Sequence, residues 1–151
     1  MNLFLDSSAL VKLYHSETGT DRLSALLDTN ADDLILTIAD ISLLEFHSAV
    51  LKRVRIKEVT IKTAKAILAA FENDLALFNV VEVDSETKQI ARGLLLQEAA
   101  KRNFGTLDAL QLSAALSVDS VLPVDWFVTA DKALLNIAGG YLRVFNPEAI
   151  H

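Results

Sequence analysis

With 151 residues, 52% of them hydrophobic, and no cysteine, the chain has the size and apolar content of one ordinary domain and lacks the thiols for a disulfide scaffold or a sulfur-ligated metal. No positively charged leader marks the opening MNLFLDSS and no apolar run reaches the ~18 residues of a membrane span, so a cytoplasmic protein with no membrane partner is expected. The formal charge of -6 argues against a broad basic face but leaves room for a local positive groove.

Taken in order, the chain alternates strand and helix patterns. Leu3–Leu5 reads as a strand that ends in Asp6, and Ser8–Tyr14 places Leu10, Leu13 and Tyr14 at helical spacing. Gly19 separates this from a second helical pattern over Asp21–Leu27. Asn30–Asp33 is a turn signal, and Leu34–Ile38 is apolar except at Thr37, as expected of a strand covered on both faces. A helix runs from Ile41 through Leu44, Ala49 and Leu51 into Lys52–Lys57, KRVRIK, the most basic stretch present. The next spans Thr60–Leu77, with Ile61, Ala64, Ile67, Leu68, Phe71 and Leu75 forming one apolar stripe. Asn79–Val83 is the third strand, and Asp84 or Ser85 is a natural cap for a helix over Glu86–Arg102. Asn103–Gly105 ends that helix, and Thr106 is predicted to cap another over Leu107–Val118. The strand Trp126–Thr129, the helix Lys132–Ile137, the stop Gly139–Gly140 and the strand Tyr141–Phe145 complete the pattern. Five short strands separated by helices predict an α/β protein: a parallel sheet with helices on both faces, in one domain over 1–151.

Four acids stand out. Asp6 follows a strand directly and Asp131 follows one after a single residue, at the sheet edge where open parallel sheets hold ligands. Glu45 and Asp108 lie near the starts of otherwise apolar helices, where a carboxylate needs something to pair with its charge. Each has a structural alternative. Asp131 can be a helix N-cap, Asp6 a turn residue, Glu45 the return partner of Ser42 in the capping box SLLE, and Asp108 a first-turn acid favoured by the helix dipole. Gathered at one edge, however, the four would repel one another and call for a compensating divalent cation.

The segments LFLDSSALVKLY, ISLLEFHSAV, TLDALQLSAAL and FVTADKALLN together resemble the four signature regions of the PIN domain, in particular of the small VapC-like toxins of type II toxin–antitoxin systems. The resemblance extends from Asn2 to about Asn146. It implies a three-layer α/β/α fold whose sheet has the order 3-2-1-4-5, and it matches Asp6, Glu45, Asp108 and Asp131 to the four acids of the family, with Thr129 as the hydroxyl residue that precedes the last. It also implies a ribonuclease that cuts RNA internally, a small cognate antitoxin and a homodimer. Tyr14, Leu43, Phe46 and Leu51 are candidates for contact surface or, equally, for core. Carboxylates are hard oxygen ligands suited to Mg²⁺ or Mn²⁺, and such an ion activates water and offsets charge on a phosphate. Asp6, Asp108 and Asp131 are the expected metal residues, and Glu45 either a further ligand or the group that orients or deprotonates water.

RNA phosphates must approach these acids, so basic residues are needed nearby. Lys12 and His15 beyond the Asp6 turn, with Lys52, Arg53, Arg55 and Lys57 on the helix that carries Glu45, are the candidate RNA-binding set; the alternative is a solvated charged face. Two other readings compete: a PIN-like nuclease of RNA processing or structured DNA outside a toxin–antitoxin system, and a non-catalytic binding subunit of a repressor complex. The complete set of four acids argues against the second.

Overall fold

The computed structural model describes residues 1–150. Five strands form its sheet: β1 (Asn2–Leu5), β2 (Ile35–Ala39), β3 (Phe78–Val81), β4 (Trp126–Val128) and β5 (Val144–Phe145). Every pairing is parallel, and the order is β3-β2-β1-β4-β5, as the resemblance implied. Seven helices cover it: α1 (Ser7–Val11), α2 (Thr20–Thr29), α3 (Ile41–Arg55), α4 (Ile61–Asp74), α5 (Ser85–Glu98), α6 (Thr106–Asp119) and α7 (Lys132–Ala138). Among the described residues no helix is long and apolar enough to cross a membrane.

The layering follows from the two-residue period of a strand, which sends successive side chains to opposite faces. Phe4 points into the cluster shared with α5, α6 and α7, where it stacks on Phe127 with ring centroids 5.7 Å apart. Its neighbours Leu3 and Leu5 point into the opposite cluster, built with α1, α2, α3 and α4 around Phe46 and Phe71. Each fully buried side chain of this size contributes about 1.5–3 kcal/mol relative to exposure, so the two cores fix which helix lies on which face.

Strand order then creates the site. The chain lays β2 and β3 on one side of β1, then returns to lay β4 and β5 on the other. The connection after β1 enters α1 on one face, and the connection after β4 enters α7 on the opposite face. Connections that diverge from adjacent parallel strands open a crevice at their carboxyl ends. Asp6 and Asp131 stand at that crevice.

Several local expectations are corrected. The capping box at Ser42 does not form: α3 begins at Ile41, Asp40 occupies the cap position with helical dihedrals and its side chain accepts from the Val83 amide instead of from α3, and Ser42 lies buried within the first turn. Thr106 is likewise the first helical residue of α6, with extended Gly105 before it as cap. Helix α1 stops at Val11 instead of running to Tyr14, because Leu13 and Tyr14 donate to carbonyls three residues back, at 3.1 and 3.0 Å. That tighter turn swings Tyr14 edge-on against Phe46 and Phe71. Strand β2 is covered on both sides only toward its carboxyl end. Gly19 adopts φ +90°, and a Cβ there would lie 2.9 Å from the Pro147 carbonyl, so the C-terminal segment can rest directly on the turn before α2.

Candidate active site

Asp6 is the N-cap of α1, and its carboxylate is almost completely enclosed. Oδ1 accepts the Ala9 amide at 2.9 Å and the Ser8 hydroxyl at 2.7 Å, while Oδ2 accepts the Thr129 hydroxyl at 2.6 Å. Thr129 in turn accepts the Asp131 amide at 3.1 Å, and Ser8 accepts the Ala130 amide at 2.9 Å. The turns after β1 and β4 are thus laced together through two hydroxyls. Asp131 caps α7, accepting the Leu134 amide at 2.9 Å, and also lines the groove beside the site. Being a cap and lining the groove are compatible for this residue.

Glu45 and Asp108 come from the two opposite layers. Glu45 lies in the second turn of α3, half-buried, with Oε1 accepting from the Gln111 amide at 2.8 Å. Asp108 is the third residue of α6, also half-buried, and feels the charges of both Asp131 and Glu45. Burial chiefly, then those two charges, push its carboxyl up to about 6. Asp6 is also pushed up to about 6, by burial against the opposing hydrogen bonds from Thr129, Ser8 and Ala9, with the charge of Glu45 adding to the rise. The structure therefore brings all four predicted acids into one electrostatic neighbourhood.

The donor set fits a hard divalent cation: every candidate ligand is a carboxylate or hydroxyl oxygen, and like charges remain unbalanced at Asp6 and Asp108. The Gln111 amide oxygen is a further buried oxygen with no partner. Among the described residues no three acidic or histidine side chains converge on a single point at metal-ligand distance. One or two carboxylates with retained waters, the usual environment of Mg²⁺, need no such convergence.

A groove of about 720 Å³ leads away from the acids, lined on α3 by Ile41, Leu44, Glu45, Ser48, Ala49, Lys52 and Arg53. These positions recur at three- and four-residue intervals, the signature of one helical face. Lys52, Arg55 and Lys57 are exposed and Arg53 is half-buried. Arg53 is engaged by Glu17 at 2.5 Å. Lys12 departs from expectation: it is only 3% exposed, and its ammonium donates to Glu17, to the Thr18 carbonyl and to Glu148 at 2.9, 2.8 and 2.6 Å. Three protons matched to three acceptors leave none for a phosphate, so Lys12 is a buried tie to the C-terminal segment. His15 is half-buried in the turn after α1, its backbone amide bonded to the Val11 carbonyl. Of the four candidate contact residues, Phe46 is wholly core, Tyr14 and Leu43 pack against that core, and Leu51 alone is exposed.

Sequence reasoning passed over Ser7, Ser8 and Gln111, and read Ser42 only as a helix cap. Signals existed for two of them. Ser8 stands two residues beyond a strand-end aspartate, within reach of its carboxylate, and Gln111 follows Asp108 by three positions in an otherwise apolar helix, which places both on one face.

The family model described as the PIN domain matches residues 3–140, a span that holds all four acids. No curated protein matches the chain. Among solved structures, FitAcB from Neisseria gonorrhoeae superposes with a TM-score of 0.72 at 18% identity, covering 98% of this chain and 99% of that one. VapBC2 from Rickettsia felis, bound to a DNA fragment from its promoter, gives 0.69 at 18% identity over 97% and 98%. VapC20 from Mycobacterium tuberculosis, a sarcin-ricin loop cleaving toxin, gives 0.67 at 14% identity over 93% and 95%. These similarities extend over nearly the whole length of each partner and concern the fold. Family match, strand order and a cluster of acids at the switch between β1 and β4 lead to one conclusion: the chain belongs to the PIN domain family of nucleases.

Proposed function

We propose that residues 1–151 form a single nuclease domain whose activity is Mg²⁺- or Mn²⁺-dependent endonucleolytic cleavage of RNA, and that the protein is the toxin of a type II toxin–antitoxin system. The observation that carries this reading is the mutual charge of the acids: Glu45 bears on both Asp6 and Asp108, and Asp131 on Asp108, at the ligand-binding edge of the sheet. A protein with no cation to bind there would gain by replacing one of them with a neutral residue.

Asp6, Asp108 and Asp131 would hold the ion, directly or through water, and a bound Mg²⁺ or Mn²⁺ supplies an acidified water and stabilises charge on phosphate. The remaining steps belong to the chain. Thr129 and Ser8 fix the Asp6 carboxylate in one orientation. Gln111 engages Glu45 Oε1, which leaves Oε2 to take a proton from water at the reacting phosphate. Leu44, Ser48 and Lys52 follow Glu45's side of α3 along the groove, and the seven residues from Glu45 to Lys52 span about 10 Å at the helical rise. Lys52, Arg53, Arg55 and Lys57, together with His15, would attract phosphates along that path.

Support for the toxin assignment comes from the resemblance of the four motifs and from neighbours solved as VapBC. A small cognate antitoxin and a homodimer go with it, as does a cytoplasmic location. Leu44 and Leu107, exposed where they line the groove, provide apolar contacts of the kind a partner segment would cover. Cleavage of a short single-stranded RNA, measured with and without added Mn²⁺ after chelation, tests the reading. Metal-dependent internal cuts are expected. Equal cleavage without metal would overturn it.

A further inference from the structure

Gln111 occupies a position that no packing argument explains. It is 2% exposed, on a helix whose neighbouring Ala109, Leu112, Ala114 and Ala115 are buried and apolar. A buried primary amide is unfavourable unless its polar atoms are matched, yet only one end of this one is. Its nitrogen lies 3.1 Å from Ser7 Oγ, 2.8 Å from Ser42 Oγ and 2.8 Å from Glu45 Oε1, while its oxygen has no partner.

Exchanging nitrogen and oxygen would let the oxygen accept from both serine hydroxyls, but would set it against the Glu45 carboxylate. An ionised carboxylate accepts only, so it demands the nitrogen, and the charge-assisted bond outranks the neutral ones. The orientation of Gln111 is thus dictated by Glu45. Its reach matters as well. Ser7 belongs to α1, Ser42 and Glu45 to α3, and Gln111 to α6 one turn beyond Asp108. With one of its two protons on Glu45 and the other shared between the Ser7 and Ser42 hydroxyls, this amide links the helix capped by Asp6, the helix bearing Glu45 and the helix bearing Asp108, across the carboxyl edge of the sheet from one core to the other.

We propose that Gln111 is a positioning residue of the nuclease site: it holds Glu45 in its working orientation and sets the spacing between Glu45 and Asp108. The inference rests on the nuclease reading above. Partners of this kind behind a site's carboxylates typically matter by about 10–100-fold in metal affinity or activity.

Gln111→Met, close in size and shape but without the donor, should lower kcat by about 10–100-fold with KM changed less than about twofold. It should also weaken Mn²⁺ binding in a calorimetric titration. The diagnostic measurement is a double-mutant cycle with Glu45→Gln: if Gln111 acts through Glu45, adding Gln111→Met to Glu45→Gln should cost little more in kcat. Equal losses in the two backgrounds would overturn the positioning role while leaving the nuclease reading intact. Wild-type protein that cleaves no RNA under Mn²⁺ would overturn both. If Gln111→Met does not fold, Gln111→Leu removes the donor to Glu45 without adding a charge or an exchangeable proton, and the cycle is repeated with it. Failure of both variants to fold would identify Gln111 as a folding residue and also overturn the proposal.

Discussion

Asp6 and Asp108 reach nearly the same proton affinity from opposite circumstances, and the contrast divides the site into two halves. Asp6 is deeply buried but largely answered: two hydroxyls and one amide occupy all but about one of its acceptor sites, and they oppose the effect of burial. Asp108 is more open, yet only burial and the charges of Asp131 and Glu45 act on it, all in the same direction. One acid is preorganised by hydrogen bonds, the other left in want of positive charge. A rigid anchor beside an unsatisfied carboxylate is an arrangement that favours cation binding without any rearrangement of the sheet.

Exchanging each acid for its amide should break the two halves differently. Either Asp6→Asn or Asp108→Asn is expected to cut metal-dependent RNA cleavage by at least about 100-fold, since even the groups behind a metal ligand are worth about 10–100-fold. Thermal unfolding without metal should separate them. Asp108→Asn removes a charge that the fold does not match, so stability should stay level or rise. Asp6→Asn also removes an ionisation penalty, but it leaves one carbonyl oxygen where two oxygens accepted three bonds, so its stability change should be less favourable than that of Asp108→Asn by about 1–3 kcal/mol. Parallel stability changes in the two variants would erase the distinction.

The pH dependence of metal-free stability sharpens the same comparison. Both carboxyls rise from 3.8 to about 6 on folding. Between those values the folded state binds more protons than the unfolded one, so stability is fully present below about pH 4 and falls as pH rises through 6. For Asp6 alone the shift corresponds to roughly 3 kcal/mol. Glu17 and Asp84 are shifted downward from 4.5 and 3.8, so their contributions fade only as pH falls below those values and leave the interval from about pH 5 to 6 readable. Urea melts in chelator across that interval should show decreasing stability, and saturating Mn²⁺ at pH 7 should restore it. Asp131→Asn should flatten the slope, because it removes the largest charge acting on Asp108 while asparagine still caps α7. A slope of the opposite sign would mean that neither acid is held as described.

Thr129→Val isolates the anchor half. It deletes the donor to Asp6 and the acceptor of the Asp131 amide in one step, at nearly constant volume. A loss of about 1–3 kcal/mol in stability is expected from these two bonds left unmade, with cleavage reduced about 10-fold or more through the reoriented Asp6 carboxylate. Wild-type rates would reassign Thr129 to packing alone.

How much of this was legible in the sequence follows from how local each signal is. Asp6 and Asp131 were readable because strand, acid and helix start adjoin in the chain, and the strand order brings those two ends together. Glu45 and Asp108 were readable as charges misplaced on apolar helices. The capping box read for Glu45 fails because α3 starts at Ile41, two residues earlier than a Ser42 cap would have it, whereas Asp108 does lie in the first turn of α6, where the helix dipole favours a negative charge. Gln111 and the two serines that face it lie 69 and 104 residues apart in the chain, so their meeting is a product of the tertiary fold. Lys12 misled in the same way. Its two carboxylate partners include Glu148, 136 residues away, and a lysine with a distant buried partner looks in sequence like any surface lysine.

That difference between Lys12 and the exposed cations of α3 yields the smallest expected effect. Lys52 and Arg55 are exposed, with no ion pair to either among the described residues, whereas Arg53 is already held by Glu17 and lies near Glu58. A free cation that contacts a phosphate releases its counterions on binding; one already paired with a carboxylate must first give up that partner. Binding of a non-cleavable RNA to an Asp108→Asn background, followed by fluorescence anisotropy against salt, should therefore show Lys52→Ala reducing the salt slope by about 1 and affinity by a few-fold. Arg55→Ala should act the same way if the path extends past the groove, and Arg53→Ala should change the slope less than Lys52→Ala while lowering stability by leaving Glu17 only its Lys12 partner. A larger slope change at Arg53 than at Lys52 would mean that the Glu17 pair opens for substrate, and would move the phosphate path to the Arg53 side of α3.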